Sequence, residues 1–405
     1  MKKYFNNFHL SLKEKHNIIK TYKNGDVSCF FSPTIAKVEK LFADYVDMPY
    51  VIATTNCTSA LYLAYKSLQI TDKNSNIIIP NFTHPSTAFA LKMANIKMKL
   101  CDCKQNSYNL NTKMLERLID QNTKAVVFVH MRGYIQNILD VQKICKKHNI
   151  VLIEDVAQGL GIEINGKKAG SFGEISCFSF NDSKTIQLGE GGMCCFRNKS
   201  QEEYARKIIH EGEYSIDTQK STTICNGSAY SVIFNKFDYI PDGFNFRPFP
   251  PIFSILENRL KNINKLRIKK NKIRDIYKNN IDKNLFKSFD TCENDLPICF
   301  PMLTDNVDVV KNVLLNFYHS GYPIGKMAYP TLNKIKSFEN CCLNFDDNFE
   351  NSENLYDRLL FLPLSQNITK KMATKLTRFL NNSIKKSTKV LPDGEIDNFD
   401  GFYLW

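Results

Sequence analysis

The sequence predicts an α/β fold: a large domain with a mostly parallel central sheet, then a smaller C-terminal α+β domain. Three observations carry this. Short apolar runs without polar alternation recur between about Asp44 and Phe196, amphipathic stretches separate them, and the rhythm changes past residue 200. Apolar strands alternating with helices belong to a sheet covered on both faces. A chain of 405 residues also exceeds the usual size of a single core.

Each element has its own signal. SALYLAYKSL (59–68) is an amphipathic helix, and NIIIP (76–80) is a buried strand ended by proline. STAFALKMA (86–94) is helical, IKMKLCD (96–102) and KAVVFVH (124–130) are strands, and ILDVQKICKKH (138–148) is a helix. IVLIED (150–155), EISCFSF (174–180) and GGMCCF (191–196) complete the strands. EEYARKIIHEG (202–212) is a helix, and residues 213–241 show no clear period. The stretch 253–280 reads as one long helix leading to the second domain. The expected partition is an N-terminal segment 1–30, a large domain 31–255, a smaller domain 256–390 and an acidic, aromatic tail 391–405.

Composition narrows the function classes. Hydrophobic content is 43% and charged content 23%, as in soluble globular proteins. No apolar run approaches the ~20 residues that span a bilayer. The first twenty residues hold lysines but no apolar core and do not read as a secretory signal. The 13 cysteines form neither a disulfide framework nor a CxxC pair. They read as reduced thiols of a cytoplasmic protein, with no metal site. The net charge of +13 suits nucleic acid, an anionic surface or anionic small molecules. The basic run 261–272 is interleaved with Ile and Leu as a solvated helix face, and no nucleic-acid reading module is present.

Sites in open α/β sheets lie at the carboxyl ends of strands. The polar groups there are Asp155 and Gln158 after IVLIE, the Lys184 loop after ISCFSF, Thr58 and Ser59 after VIATTN, His84 after IIIP, and His130 after AVVFV. Their types suit pyridoxal 5'-phosphate. That cofactor needs a lysine, a carboxylate opposite its pyridinium nitrogen and a phosphate cradle. Lys184 supplies the amine and the mobile proton. Asp155 supplies the carboxylate. Thr58 and Ser59 open a helix whose free N–H groups attract phosphate, Ser179 adds a hydroxyl, and His84 lies against the ring. His130 has no assigned chemistry.

The block IEDVAQGLGIEINGKKAGSFGEISCFSFNDSKTIQLGEGGMCCF (153–196) resembles the central block of the DegT/DnrJ/StrS aminotransferases. The likeness extends to TTNCTSALYLA (54–64), IIIPNFTHPSTAFAL (77–91), TKAVVFVHMRGYIQNI (123–138), GFNFRP (243–248) and RLLFLPLSQNIT (358–369), and covers roughly residues 25–375. It implies a fold-type I pyridoxal phosphate enzyme acting on nucleotide-linked keto-sugars, with L-glutamate as amino donor. It aligns Lys184 with the Schiff-base lysine, Asp155 with the pyridine-nitrogen partner, and Gln158 with the residue beside the ring hydroxyl. Thr58, Ser59 and Ser179 align with phosphate ligands. Asn245 aligns with an asparagine that reaches the phosphate from a neighbouring subunit, which implies a homodimer with shared sites. His84 falls where the family often has an aromatic ring. Lysine rather than histidine at 184 favours transamination over removal of a sugar hydroxyl.

Three departures fall where substrate contacts are expected. Asn181-Asp182-Ser183 replaces the usual His-Pro-Thr, residues 213–241 match nothing, and GYPIGKMAYPTLN (321–333) replaces a histidine-containing strand. They leave two alternatives open: a smaller phosphorylated ketone as substrate, or a non-catalytic regulatory relative.

Overall fold

A computed structural model describes residues 8–215, 237–383 and 403–404. Most of the tail 391–405 and the centre of the 213–241 stretch lie outside the described residues. The first element among the described residues is α1 (Leu12–Lys23), a helix the sequence reading left unassigned although its start is spelled out. Ser11 caps it and Glu14 returns the bond, a complete capping box. Helix α2 (Pro33–Val46) follows, with proline in its first turn and Ser32 as cap.

The strands and helices then alternate as expected: β1 (Tyr50–Thr54), α3 (Cys57–Lys66), β2 (Asn76–Pro80), α4 (Pro85–Met93), β3 (Lys97–Cys101), α5 (Thr112–Leu118), β4 (Thr123–Val129), α6 (Ile138–His148) and β5 (Val151–Asp155). A short hairpin of β6 (Glu163–Ile164) and β7 (Lys167–Lys168) precedes β8 (Ile175–Ser179) and β9 (Gly192–Phe196). The seven-stranded sheet has the order β1-β9-β8-β5-β4-β2-β3. Only β9 runs against the others. Strands β5, β8 and β9 are almost wholly buried, so two apolar faces are covered and the runs carry no alternation.

After α7 (Lys199–Ile208), β10 (Glu213–Ser215) pairs antiparallel with β11 (Phe237–Tyr239). The two described ends of the aperiodic stretch are thus paired with each other. The long helix predicted over 253–280 is broken into α8 (Pro250–Phe253), α9 (Leu256–Lys261) and α10 (Ile263–Asn280). Polar side chains at both breaks bond to helix carbonyls: Ser254 Oγ to Pro251 O at 2.7 Å and Asn262 Nδ2 to Asn258 O at 2.8 Å. Such local bonds compete with helix continuation.

A second, antiparallel sheet is formed by β12 (Lys287–Ser288), β13 (Cys299–Leu303) and β15 (Leu359–Pro363). It packs with α10, α11 (Val307–Ser320) and α13 (Lys370–Ser383), while β14 (Lys326–Met327) and α12 (Glu350–Arg358) lie between. Phe300, Met302, Leu360 and Leu362 face those helices. The alternate residues Cys299, Leu303, Leu359 and Phe361 join the core of the large sheet. The period of two thus divides this sheet between two cores. Polar bonds fasten its connections to the large sheet. Asn81, just past β2, bonds Asn333 Oδ1 at 3.0 Å and Ser352 Oγ at 2.8 Å, and Asp102, just past β3, accepts from the N–H groups of Asn351 and Ser352. Tyr403–Leu404 (β16) pairs parallel with β14. Among the described residues, no helix is long and apolar enough to cross a membrane.

Candidate active site

The carboxyl ends of β2, β5 and β8 and the start of α3 surround one cavity of about 430 Å³. Its lining includes Thr58, His84, Asp155, Gln158, Ser179 and Lys184, six of the eight residues selected from sequence.

Asp155 ends β5 and is 4% exposed. Its Oδ1 accepts from Ala157 N–H and its Oδ2 from the Thr87 hydroxyl, both at 3.0 Å. Burial pushes its pKa up, against the Ala157 and Thr87 bonds and the nearby Lys184 and His130 charges. The carboxylate is therefore oriented from both oxygens in a poorly solvated place.

Lys184 closes a turn through its N–H to Asn181 O at 3.0 Å. Asn181 Oδ1 accepts from both the N–H and the hydroxyl of Ser183. The unusual Asn-Asp-Ser thus forms a self-bonded turn that presents the lysine. Burial lowers the Lys184 pKa, the Arg132 charge lowers it further, and Cys57, Asp155 and Asp182 oppose this. A lowered pKa leaves more of the amine unprotonated, the nucleophilic form.

Asn56 caps α3 by accepting from Ser59 N–H at 2.9 Å. The Ser59 hydroxyl is committed to Asn56 Oδ1 at 3.1 Å and Thr55 Oγ1 at 2.9 Å, and Ser59 is absent from the cavity wall. The helix start reaches the cavity through Asn56, Cys57 and Thr58 instead. Gly192 of β9 is required here: a Cβ would stand 2.5 Å from Asn56 O. Ser179 lines the cavity at the end of β8.

His84 caps α4, accepting from Ser86 N–H at 3.1 Å. Tyr329 meets its ring edge-on at 4.6 Å. Burial lowers the His84 pKa to about 3, helped by the Lys184 and Arg132 charges, so the imidazole is neutral near neutral pH. Gln158 Oε1 accepts from Arg132 N–H at 3.0 Å. Asn245 is exposed, pairs with His210 across an isolated bridge, and lies outside the cavity wall of its own chain. His130 is buried against Glu154 at 2.8 Å.

Thr87 and Arg132 were missed. Thr87 is one helical turn beyond Thr83, and its partner Asp155 is 68 residues away. Arg132 adopts a left-handed backbone (φ 57°) and lies with its guanidinium 4.5 Å from the Phe361 ring centre. No local pattern announces either contact.

This donor set fits pyridoxal phosphate: one oriented carboxylate, one amine, a hydroxyl-bearing helix start and a neutral ring in one cavity.

A model of the DegT/DnrJ/EryC1/StrS aminotransferase family matches residues 11–380. The GDP-perosamine synthase of Caulobacter vibrioides is 36% identical over 159 residues, which is 39% of this chain and 43% of that one. The GDP-perosamine synthase of Escherichia coli O157:H7 is 29% identical over 248 residues, 61% of this chain and 63% of that one. The match thus spans less than two thirds of either relative. A putative sugar aminotransferase from Streptococcus pneumoniae, in its PMP form, superposes with a TM-score of 0.83 at 16% identity. That likeness covers 94% of this chain and 99% of the other and establishes a shared fold. With the family match running over nearly its whole length, the chain belongs to the DegT/DnrJ/EryC1/StrS aminotransferase family.

Proposed function

We propose that this protein is an aminotransferase that moves an amino group from L-glutamate to the keto group of a nucleotide-activated sugar, for surface polysaccharide or amino-sugar biosynthesis. The observation that carries the reading is the shared cavity of Lys184, Asp155 and the α3 start. Pyridoxal phosphate, when bound, supplies an electron sink for the carbon that gains or loses the amine. Asp155, fixed by Thr87 and Ala157, would hold the protonated ring nitrogen. The N-terminal turn of α3, with Thr58 and Ser179, would hold the phosphate. Ser59 serves that turn from behind, through Asn56. Gln158 would stand beside the ring hydroxyl and His84 against the ring. Lys184 Nζ would take a proton from the amine-bearing carbon in one half-reaction and return it in the other.

The GDP-perosamine synthases among its relatives make a GDP-linked keto-hexose the first acceptor to test. The exposed Asn245 suits a contact with a second copy, so we assign a homodimer with shared sites. We place the large domain at residues 31–255 and the smaller at 256–390. The described cysteines are all free thiols, which supports a cytoplasmic setting.

The test is a panel of GDP- and UDP-linked keto-hexoses against triose phosphates, with L-glutamate as donor. Amination of a keto-hexose supports the reading. Amination of triose phosphates alone contradicts it.

A further inference from the structure

Three carboxylates line the cavity: Asp155, Asp182 and Glu190. Asp155 is held by Thr87 and Ala157, and Glu190 accepts from Asn181 Nδ2 at 3.0 Å. Among the described residues, Asp182 makes no hydrogen bond or ion pair, and it is exposed. Its place is nevertheless fixed. It is the second residue of the Asn181–Lys184 turn, which the Lys184 N–H and the Asn181 side chain close. A turn stabilised by its own side chain needs no carboxylate at that position.

Charge limits what can lie beside it. Among the described residues Lys184 is the only lysine or arginine in the cavity wall, with the Arg132 charge acting on it, and Asp182 and Glu190 stand at the same loop. A diphosphate against this wall would be repelled. A hydroxyl-bearing ring would not, because a carboxylate is an acceptor with two oxygens and bonds to it are charge-assisted.

We propose that Asp182 is a specificity-determining residue that accepts hydrogen bonds from hydroxyl groups of the keto-sugar ring, with the nucleotide diphosphate directed away from this wall. The inference rests on the keto-sugar reading above. Its alternative is that Asp182 acts on Lys184, whose positive charge it favours.

The two half-reactions separate these roles. In the loaded full-length enzyme, Asp182→Asn should raise KM for GDP-4-keto-6-deoxymannose about tenfold, and Asp182→Ala up to about a hundredfold. Calorimetric binding of the aminated product GDP-perosamine should weaken in step. Stopped-flow loss of visible-edge absorbance on adding L-glutamate should stay within about twofold of wild type, because the donor carries no sugar ring. Unchanged KM and product affinity in both variants, with an active wild type, would overturn the inference alone. Equal slowing of both half-reactions would also overturn it and assign Asp182 to Lys184. A wild type inert with every keto-sugar nucleotide would overturn the parent reading, and this inference with it.

Discussion

Glu154 and Asp155 are neighbours on β5, and their side chains leave opposite faces of the sheet. Glu154 is fully buried and takes no part in the cavity wall. It accepts from the N–H groups of Gly170, Phe172 and Gly173 and pairs with His130. It therefore ties the 170–173 loop to the sheet. Asp155 faces the cavity, where Thr87 and Ala157 aim it. Two carboxylates one residue apart are thus turned to opposite faces, one bound into the fold and one presented to the cavity, and the pleat decides which is which. A register slip of one residue would exchange them.

The sharpest way to break this comparison is to neutralise each in turn. Asp155→Asn should lower amino transfer by about 100-fold or more and leave urea stability close to wild type, because burial already disfavours the charged form and the Asn oxygen can keep the Ala157 bond while the Thr87 hydroxyl turns to accept. Steady-state rates and unfolding curves on the same preparation check both halves. A stable variant of undiminished activity would remove Asp155 from the chemistry.

Glu154→Gln should do the reverse. The amide keeps one acceptor oxygen but sets an NH2 among backbone donors and removes the charge facing His130. The expected loss is about 3 kcal/mol of stability, with most activity per folded molecule retained. Equal stability with lost activity would mean that the sheet face does not separate the two roles.

How much of this was legible follows from the range of the interactions. Runs such as IIIP and VLIED name their strands because burial on both faces leaves local composition as the signal. That Lys184, Asp155, Thr58 and Ser179 line one cavity was readable because each stands at or a few residues past the end of such a run. Ser59 was half readable. Asn56, Thr58 and Ser59 all suit a helix start, and only the backbone geometry shows that Asn56 takes the cap and draws the Ser59 hydroxyl inward. Glu154 drew no assignment from the sequence, since its backbone donors arrive 16 to 19 residues later. The Asn81–Asn333 bond spans 252 residues, beyond any local pattern. The break at Asn262 was in principle visible, but the surrounding lysines and isoleucines keep helical spacing through it.

A smaller effect on the cavity side depends on pH. His84 titrates at about 3 in the folded chain, against an ordinary 6.5. Between those values the unfolded chain binds a proton that the folded chain does not. Stability therefore falls as pH drops from 6.5 toward 3. His84→Asn keeps an acceptor for Ser86 and removes this term. The gap between urea midpoints at about pH 7 and about pH 5 should narrow in the variant. An unchanged gap would mean that His84 is not held neutral by burial and its cationic neighbours.

The central claim is that Lys184, one lysine in a chain rich in them, is the amine of the site. Sodium borohydride treatment of the pyridoxal phosphate-loaded protein, followed by peptide mass mapping, tests it directly. The reduced cofactor should be found on the peptide carrying Lys184, and pretreatment with L-glutamate should abolish the labelling. A label on another lysine, or one that glutamate does not remove, would contradict the account.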